Sequence, residues 1–178
     1  GTSTNINNAL NGLSYTPTSN YNGSATLQVL ASDGSLTDTK TINLTINAVN
    51  DAPVNTVPSA QTVNEDTNLV FNTTNGNAIS VNDVDSSNVT VTLTSTNGVM
   101  TLSGITGLTF TAGDGTSDST MTFSGTQSAI NTALNGLTYA PSANYNGSAS
   151  IQIQTTDGSL TDTDTVNITI NAVNDAPV

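Results

Sequence analysis

The side chains in this sequence best suited to chemistry are oxygen donors, the carboxylates of Asp and Glu and the carboxamide of Asn. Thirteen acidic residues stand against one basic residue, Lys40, for a net charge of −12 and a pI near 4.1. There is no Cys, His or Trp. The usual parts for nucleophile-plus-base catalysis, zinc ligation or phosphate clamping are therefore missing, and enzyme activity is not expected. Such a charge balance repels nucleic acid and anionic membrane surfaces, which leaves cations as the natural partner. Several acids sit in suggestive settings: Asp51 after Asn50, Asp175 after Asn174, Asp83 and Asp85 separated by one residue, and Asp157 before Gly158. Oxygen donors of this kind suit Ca²⁺, which takes six to eight oxygens from carboxylates and carbonyls.

These residues are positioned by a repeat. Gly1–Val54 overlays Gly125–Val178 without a gap, with 37 of 54 positions identical. The segment Thr45–Val54 returns unchanged as Thr169–Val178, and Asn20–Ala25 returns as Asn144–Ala149. A spacing of 124 residues is the length of a whole domain, too long for a solenoid turn. The expected organisation is one complete unit over residues 55–178, preceded by the C-terminal part of another over residues 1–54, within a longer array.

Alternation of apolar and polar residues marks the strands. Ala149–Gln154 and Val166–Ala172 each put apolar residues on one face and Thr, Asn, Ser or Gln on the other, with the Asp157-Gly158 turn between them. Ala25–Ala31 and Ile42–Ala48 form the equivalent hairpin. Val89–Leu93, Leu108–Phe110, Met121–Phe123, Leu69–Phe71 and Ile79–Val81 bring the count for the complete unit to roughly seven strands, the pattern of a β-sandwich. One helix is predicted over Gln127–Leu134. Thr126 caps it, and Ala129, Ile130, Ala133 and Leu134 share a face for packing on the sandwich.

The hydrophobic fraction is only 34%, but its patterning and the Thr, Asn and Ser content argue for a folded chain. No apolar run is long enough to span a bilayer, and neither membrane insertion nor nucleic-acid binding is expected. The lack of Cys means only that no disulfide staples the fold. Three other signals read as structural. The Asn-x-Ser/Thr triplets at Asn43, Asn72, Asn88 and Asn167 follow from composition, Tyr21 and Tyr145 anchor Asn-Tyr-Asn-Gly turns, and Gly113-Asp114-Gly115 is a hairpin turn.

The segment Asp157–Pro177 resembles the end of a cadherin repeat, in which an acidic residue closing one strand precedes the last strand and an Asn-Asp-x-Ala-Pro type linker. Glu65, eleven residues past Val54, is similar to the calcium glutamate of an early strand. Asp83-Val84-Asp85 is similar to the Asp-x-Asp pair that follows the previous linker by about thirty residues. Across residues 55–178 the chain most resembles bacterial cadherin-like (Ig-like) tandem repeats of giant RTX-type and biofilm-associated surface adhesins. Those typically carry Asn-Asp-Ala-Pro-Val, Asn-Glu-Asp-Thr (here Asn64–Thr67) and Asn-Tyr-Asn-Gly. Two departures matter. The linker is one residue shorter than in animal cadherins, and their Asp-Arg-Glu is replaced by Asn144-Tyr145-Asn146-Gly147. With fewer charged ligands, roughly one or two ions per junction are expected.

The resemblance implies an all-β, cadherin-like Greek-key sandwich with one short helix. If the last strand runs toward Asn174-Asp175, the Asp157 turn lies at the opposite end, beside Asn50-Asp51, and the resemblance brings Asp83 and Asp85 there too. Asn50, Asp51, Asp83, Asp85 and Asp157 would then share Ca²⁺. Glu65, Asn174 and Asp175 would form half of the next site. Asp38, Asp114, Asp118, Asp162 and Asp164 read as turn or cap residues.

The expected function is a calcium-stiffened extracellular spacer repeat of a bacterial adhesin, at the cell surface or secreted, serving cell adhesion or biofilm formation, with neighbouring repeats of the same chain as partners. The alternative is a homo-oligomeric subunit of an extracellular filament or matrix, whose half-repeat is completed by strands from neighbouring chains. A glycan-binding module is least favoured, because aromatics make up only 4% of the chain.

Overall fold

Apolar-polar alternation in the last third of the chain builds the hairpin around which the rest assembles. The structure, a computed structural model, describes residues 1–176; Pro177 and Val178, which end the second linker motif, lie outside the described residues. The chain divides into two compact units, Gly1–Asn50 and Asp51–Val178.

In the second unit, strand β12 (Gly147–Thr156) pairs antiparallel with β13 (Thr161–Asn171), setting Ile151 opposite Val166 and Ala149 opposite Ile168. The turn between them is closed by the Asp157 carboxylate, whose Oδ1 accepts the Ser159 and Leu160 N–H groups at 2.6 and 2.7 Å. Strand β7 (Asn88–Ser95) adds to the free edge of β12, followed by β10 (Thr120–Thr126) and β9 (Leu108–Ala112), all antiparallel. On the other side β4 (Gln61–Asn64) runs parallel to β13, completing a six-stranded sheet. A second layer holds β5 (Leu69–Phe71), β11 (Leu137–Pro141) and β8 (Gly98–Thr101) as one sheet, and β3 (Val54–Thr56) with β6 (Ser80–Asn82) as another.

Helix α2 (Gln127–Leu134) follows β10 without a break. The Thr126 hydroxyl caps it by accepting the Ala129 N–H at 3.2 Å. It buries Ile130, Ala133 and Leu134, the face expected from their spacing, against the sandwich. Leu93, Ile151, Ile153 and Phe123 from the large sheet and Phe71, Leu137 and Tyr139 from the opposite layer form one fully buried core. Each such side chain contributes about 1.5–3 kcal/mol relative to exposure. Gly98 is required by close approach, since a Cβ there would lie 2.5 Å from the Tyr139 ring. The Tyr139 hydroxyl in turn donates to the Thr96 carbonyl at 2.8 Å.

The second unit has strands β3 to β13 where roughly seven were expected. The additional ones, β3, β4, β8 and β11, are three to five residues long. Short strands like these owe their conformation to the partners they meet, and local alternation announces them poorly.

The first unit contains helix α1 (Ser3–Leu10) and the antiparallel hairpin of β1 (Gly23–Ser32) and β2 (Thr37–Ile46). Its turn repeats that of the second unit. Asp33 Oδ1 accepts the Leu36 and Ser35 N–H groups at 2.8 and 2.9 Å. Those bonds, the Leu36 one foremost, hold the Asp33 carboxyl below its ordinary value of 3.8. Helix α1 buries none of its residues.

Candidate cation site

The loop that leaves β6 carries Asp83-Val84-Asp85, and Asp83 organises it. Asp83 Oδ1 accepts the N–H groups of Asp85 and Ser86, both at 2.8 Å, which curls the backbone around the carboxylate. Helix α2 then fixes the loop from outside. Gln127, its first residue, donates through Nε2 to the carbonyls of Asp83 and Ser86 at 2.7 and 2.6 Å and accepts the Asp83 N–H through Oε1 at 3.1 Å. One turn further, Asn131 accepts the Val81 N–H at 2.8 Å and donates to the Val81 carbonyl at 2.9 Å. The loop carrying the acids is thereby tied to a capped helix whose other face sits in the core.

Asp83 is only 7% exposed, and its Oδ2 is buried without a hydrogen-bond partner. Burying a carboxyl oxygen with no compensating group is costly. Asp85 lies two residues on, and its Oδ2 accepts the Asp51 N–H at 2.7 Å, so the start of the second unit is drawn to this loop. The sequence offers one basic side chain, Lys40, and it forms an exposed ion pair with Asp38 at 3.2 Å.

The Asp157 turn lies at the same end of the sandwich. Thr156 is in register with Thr90 of β7, the strand fed by the Asp83 loop, and Asp157 lines a shallow groove with Asn88, Thr90 and Ser124. The chain enters here as well: the Asn55 N–H donates to Asp162 Oδ2 at 2.7 Å, and the Thr155 hydroxyl donates to Asn55 Oδ1 at 2.5 Å. Asp51, Asp83, Asp85 and Asp157 therefore share one end of the second unit. Asn50 is the last residue of the first unit.

Glu65 marks the opposite end. It is 6% exposed; its Oε1 accepts the Val173 N–H at 2.6 Å, and its own N–H donates to the Asn171 carbonyl at 2.9 Å. It thus pins the chain where β13 runs out toward Asn174 and Asp175, both exposed, with Asn174 Nδ2 donating to the Asp175 carbonyl at 3.1 Å.

Among the described residues no three His, Cys, Asp or Glu side chains come together as a ready-made metal centre. Asp83, Asp85, Asp157 and Glu65 each use a carboxylate oxygen to accept backbone N–H groups. Asp114 and Asp118 do work as turn residues, accepting N–H groups within residues 114–116. Asp162, also read as a turn or cap residue, instead anchors the incoming strand. Gln127 and Asn131 carried no sequence signal beyond their place on the polar side of the helix.

With this geometry the second unit is a β-sandwich that has Asp51, Asp83, Asp85 and Asp157 toward one end and Glu65 toward the other. No protein-family model matches the chain, and no curated protein does. Solved structures with some likeness include domains 1–6 of the surface-layer protein SbsC, at 16% identity and a TM-score of 0.38, covering 86% of this chain and 17% of that one. Sidekick-1 immunoglobulin domains 1–5 match at 15% identity and a TM-score of 0.35, covering 84% of this chain and 26% of that one. A chimeric titin Z1Z2 matches at 14% identity and a TM-score of 0.31, covering 70% of this chain and 99% of that one. The chain thus spans 17% of the surface-layer structure. Neither helix is long and apolar enough to cross a membrane.

Proposed function

We propose that this chain is a spacer repeat of a bacterial extracellular adhesin, stiffened by Ca²⁺ held at the ends of its sandwich. Asp51, Asp83, Asp85 and Asp157, with Asn50, would supply protein oxygens at the leading end. Glu65, Asn174 and Asp175 would do so at the trailing end. Backbone carbonyls and water would fill the remaining positions of a six-to-eight-coordinate ion. The reading rests on Asp83, a buried carboxylate with one oxygen held by two N–H groups and the other without a partner, beside a second carboxylate. A hard cation would neutralise that oxygen and relieve the repulsion between neighbouring acids, so binding would stabilise the folded unit by mass action.

The test is a melting curve in EDTA, in millimolar Ca²⁺ and in millimolar Mg²⁺. Ca²⁺ should raise the melting temperature more than Mg²⁺, whose octahedral demand suits a loose carboxylate cage poorly. Replacing Asp83→Asn and Asp85→Asn together should remove most of the gain yet leave the sandwich folded, because Asn keeps the side-chain oxygen that accepts the loop N–H groups. Identical melting of the unmodified chain in EDTA and Ca²⁺ would refute the calcium reading.

A further inference from the structure

The repeat places nearly the same apolar surface in this molecule twice, once buried and once half-buried or exposed. Ile130, Leu134, Leu137 and Tyr139 are fully buried in the second unit; their counterparts Ile6, Leu10, Leu13 and Tyr15 are between 45% and 59% exposed. Likewise Val166 of β13 is buried and its counterpart Ile42 of β2 is exposed. Among the described residues neither outer edge of the β1–β2 hairpin has a strand partner, whereas β12 is flanked by β7 and β13 by β4. The second unit is covered by residues 55–124, which supply β4 through β9 with most of β3 and of β10.

We infer that the first unit, Gly1–Asn50, is an acceptor surface for one kind of partner, a donor segment with the strand pattern of Asn55–Ser124 from a neighbouring repeat. Three observations carry this inference, and none depends on calcium. First, the apolar volume is conserved although the residues change. Ile151, Ile153, Val166 and Ile168 become Leu27, Val29, Ile42 and Leu44, so each set has three six-carbon residues and one valine. Shuffling volume in this way keeps the complement to the same opposing surface. Second, Asn131, which grips both backbone groups of Val81 in the donor strand β6, is retained as Asn7. Third, copies of this chain cannot satisfy one another by exchange. Each carries two acceptor halves and one donor half, so any swapped assembly leaves one acceptor per chain bare.

The experiment fuses a second copy of residues 55–124 ahead of Gly1 of the full chain. Amide hydrogen exchange at Leu27, Val29, Leu44 and Ile46 should slow by about a hundredfold or more relative to the original chain, as those strands join a cooperative core. The calorimetric unfolding enthalpy should roughly double, as expected when a second domain of equal size folds. A control fusion with Val91→Asp and Leu93→Asp in the added copy alone should show neither change. Exchange and enthalpy unaltered by the intact fusion would overturn the inference. So would an unextended chain that sediments as a dimer at micromolar concentration with the same four amides already protected, since the occupant would then be a second copy.

Discussion

Gln127 and Asp83 are locked backbone to side chain: the Gln127 carboxamide accepts the Asp83 N–H at 3.1 Å and donates to the Asp83 carbonyl at 2.7 Å. A third bond, from Gln127 Nε2 to the Ser86 carbonyl at 2.6 Å, closes the far side of the loop. The first residue of a helix thus sets the position of a buried carboxylate 44 residues earlier in the chain.

Replacing Gln127→Ser, the residue found at the equivalent position Ser3, should leave the Asp83 loop without these bonds. A shorter side chain cannot reach both carbonyls, and the loss is expected to cost about 1–3 kcal/mol. Denaturant unfolding of the two proteins in EDTA measures it, and an unchanged midpoint would show that the clamp contributes nothing. The same variant in Ca²⁺ should gain less stability than the unmodified chain if the loop presents the cation ligands.

Asp162→Ala should loosen the start of the second unit. Its carboxylate accepts the Asn55 N–H at 2.7 Å, and Asn55 is itself largely buried, so truncation leaves a buried donor without a partner. A cost of about 1–3 kcal/mol is expected, with faster amide exchange at Asn55 and faster proteolysis between Asp51 and Thr56. Unchanged exchange at Asn55 would argue that pairing of β3 with β6 alone holds the segment.

Alkaline pH should unfold the second unit through Tyr139. Burial, and to a lesser degree the neighbouring Tyr145, pushes this phenol up from 10.0 to about 12. Between those values the unfolded chain has lost the proton that the folded chain still holds. Stability is therefore complete below pH 10 and declines as pH rises toward 12. Phenolate absorbance should show one of the four tyrosines ionising only near pH 12 or on unfolding. If all four titrate together while circular dichroism stays native, Tyr139 is not sealed in the core.

The two units separate what was local from what was not. Both helices form where Thr2 and Thr126 cap them, and both hairpins form around Asp-Gly turns, because these signals act within a few residues and need no partner. Leu137–Pro141 is a strand, yet its counterpart around Leu13 and Tyr15 has no regular structure. The difference is the presence of β5 and β8 on either side of β11, since an isolated extended segment has nothing to receive its backbone hydrogen bonds. The acids of the site divide in the same way. Strand direction alone was enough to send the Asp157 turn away from Asn174-Asp175, whereas the expected places of Asp83, Asp85 and Glu65 came from the resemblance to cadherin repeats. The burial of Asp83, its unpartnered oxygen, and the grip of Gln127 and Asp162 on distant backbone arise only when segments far apart in sequence meet, and no local pattern encodes that meeting.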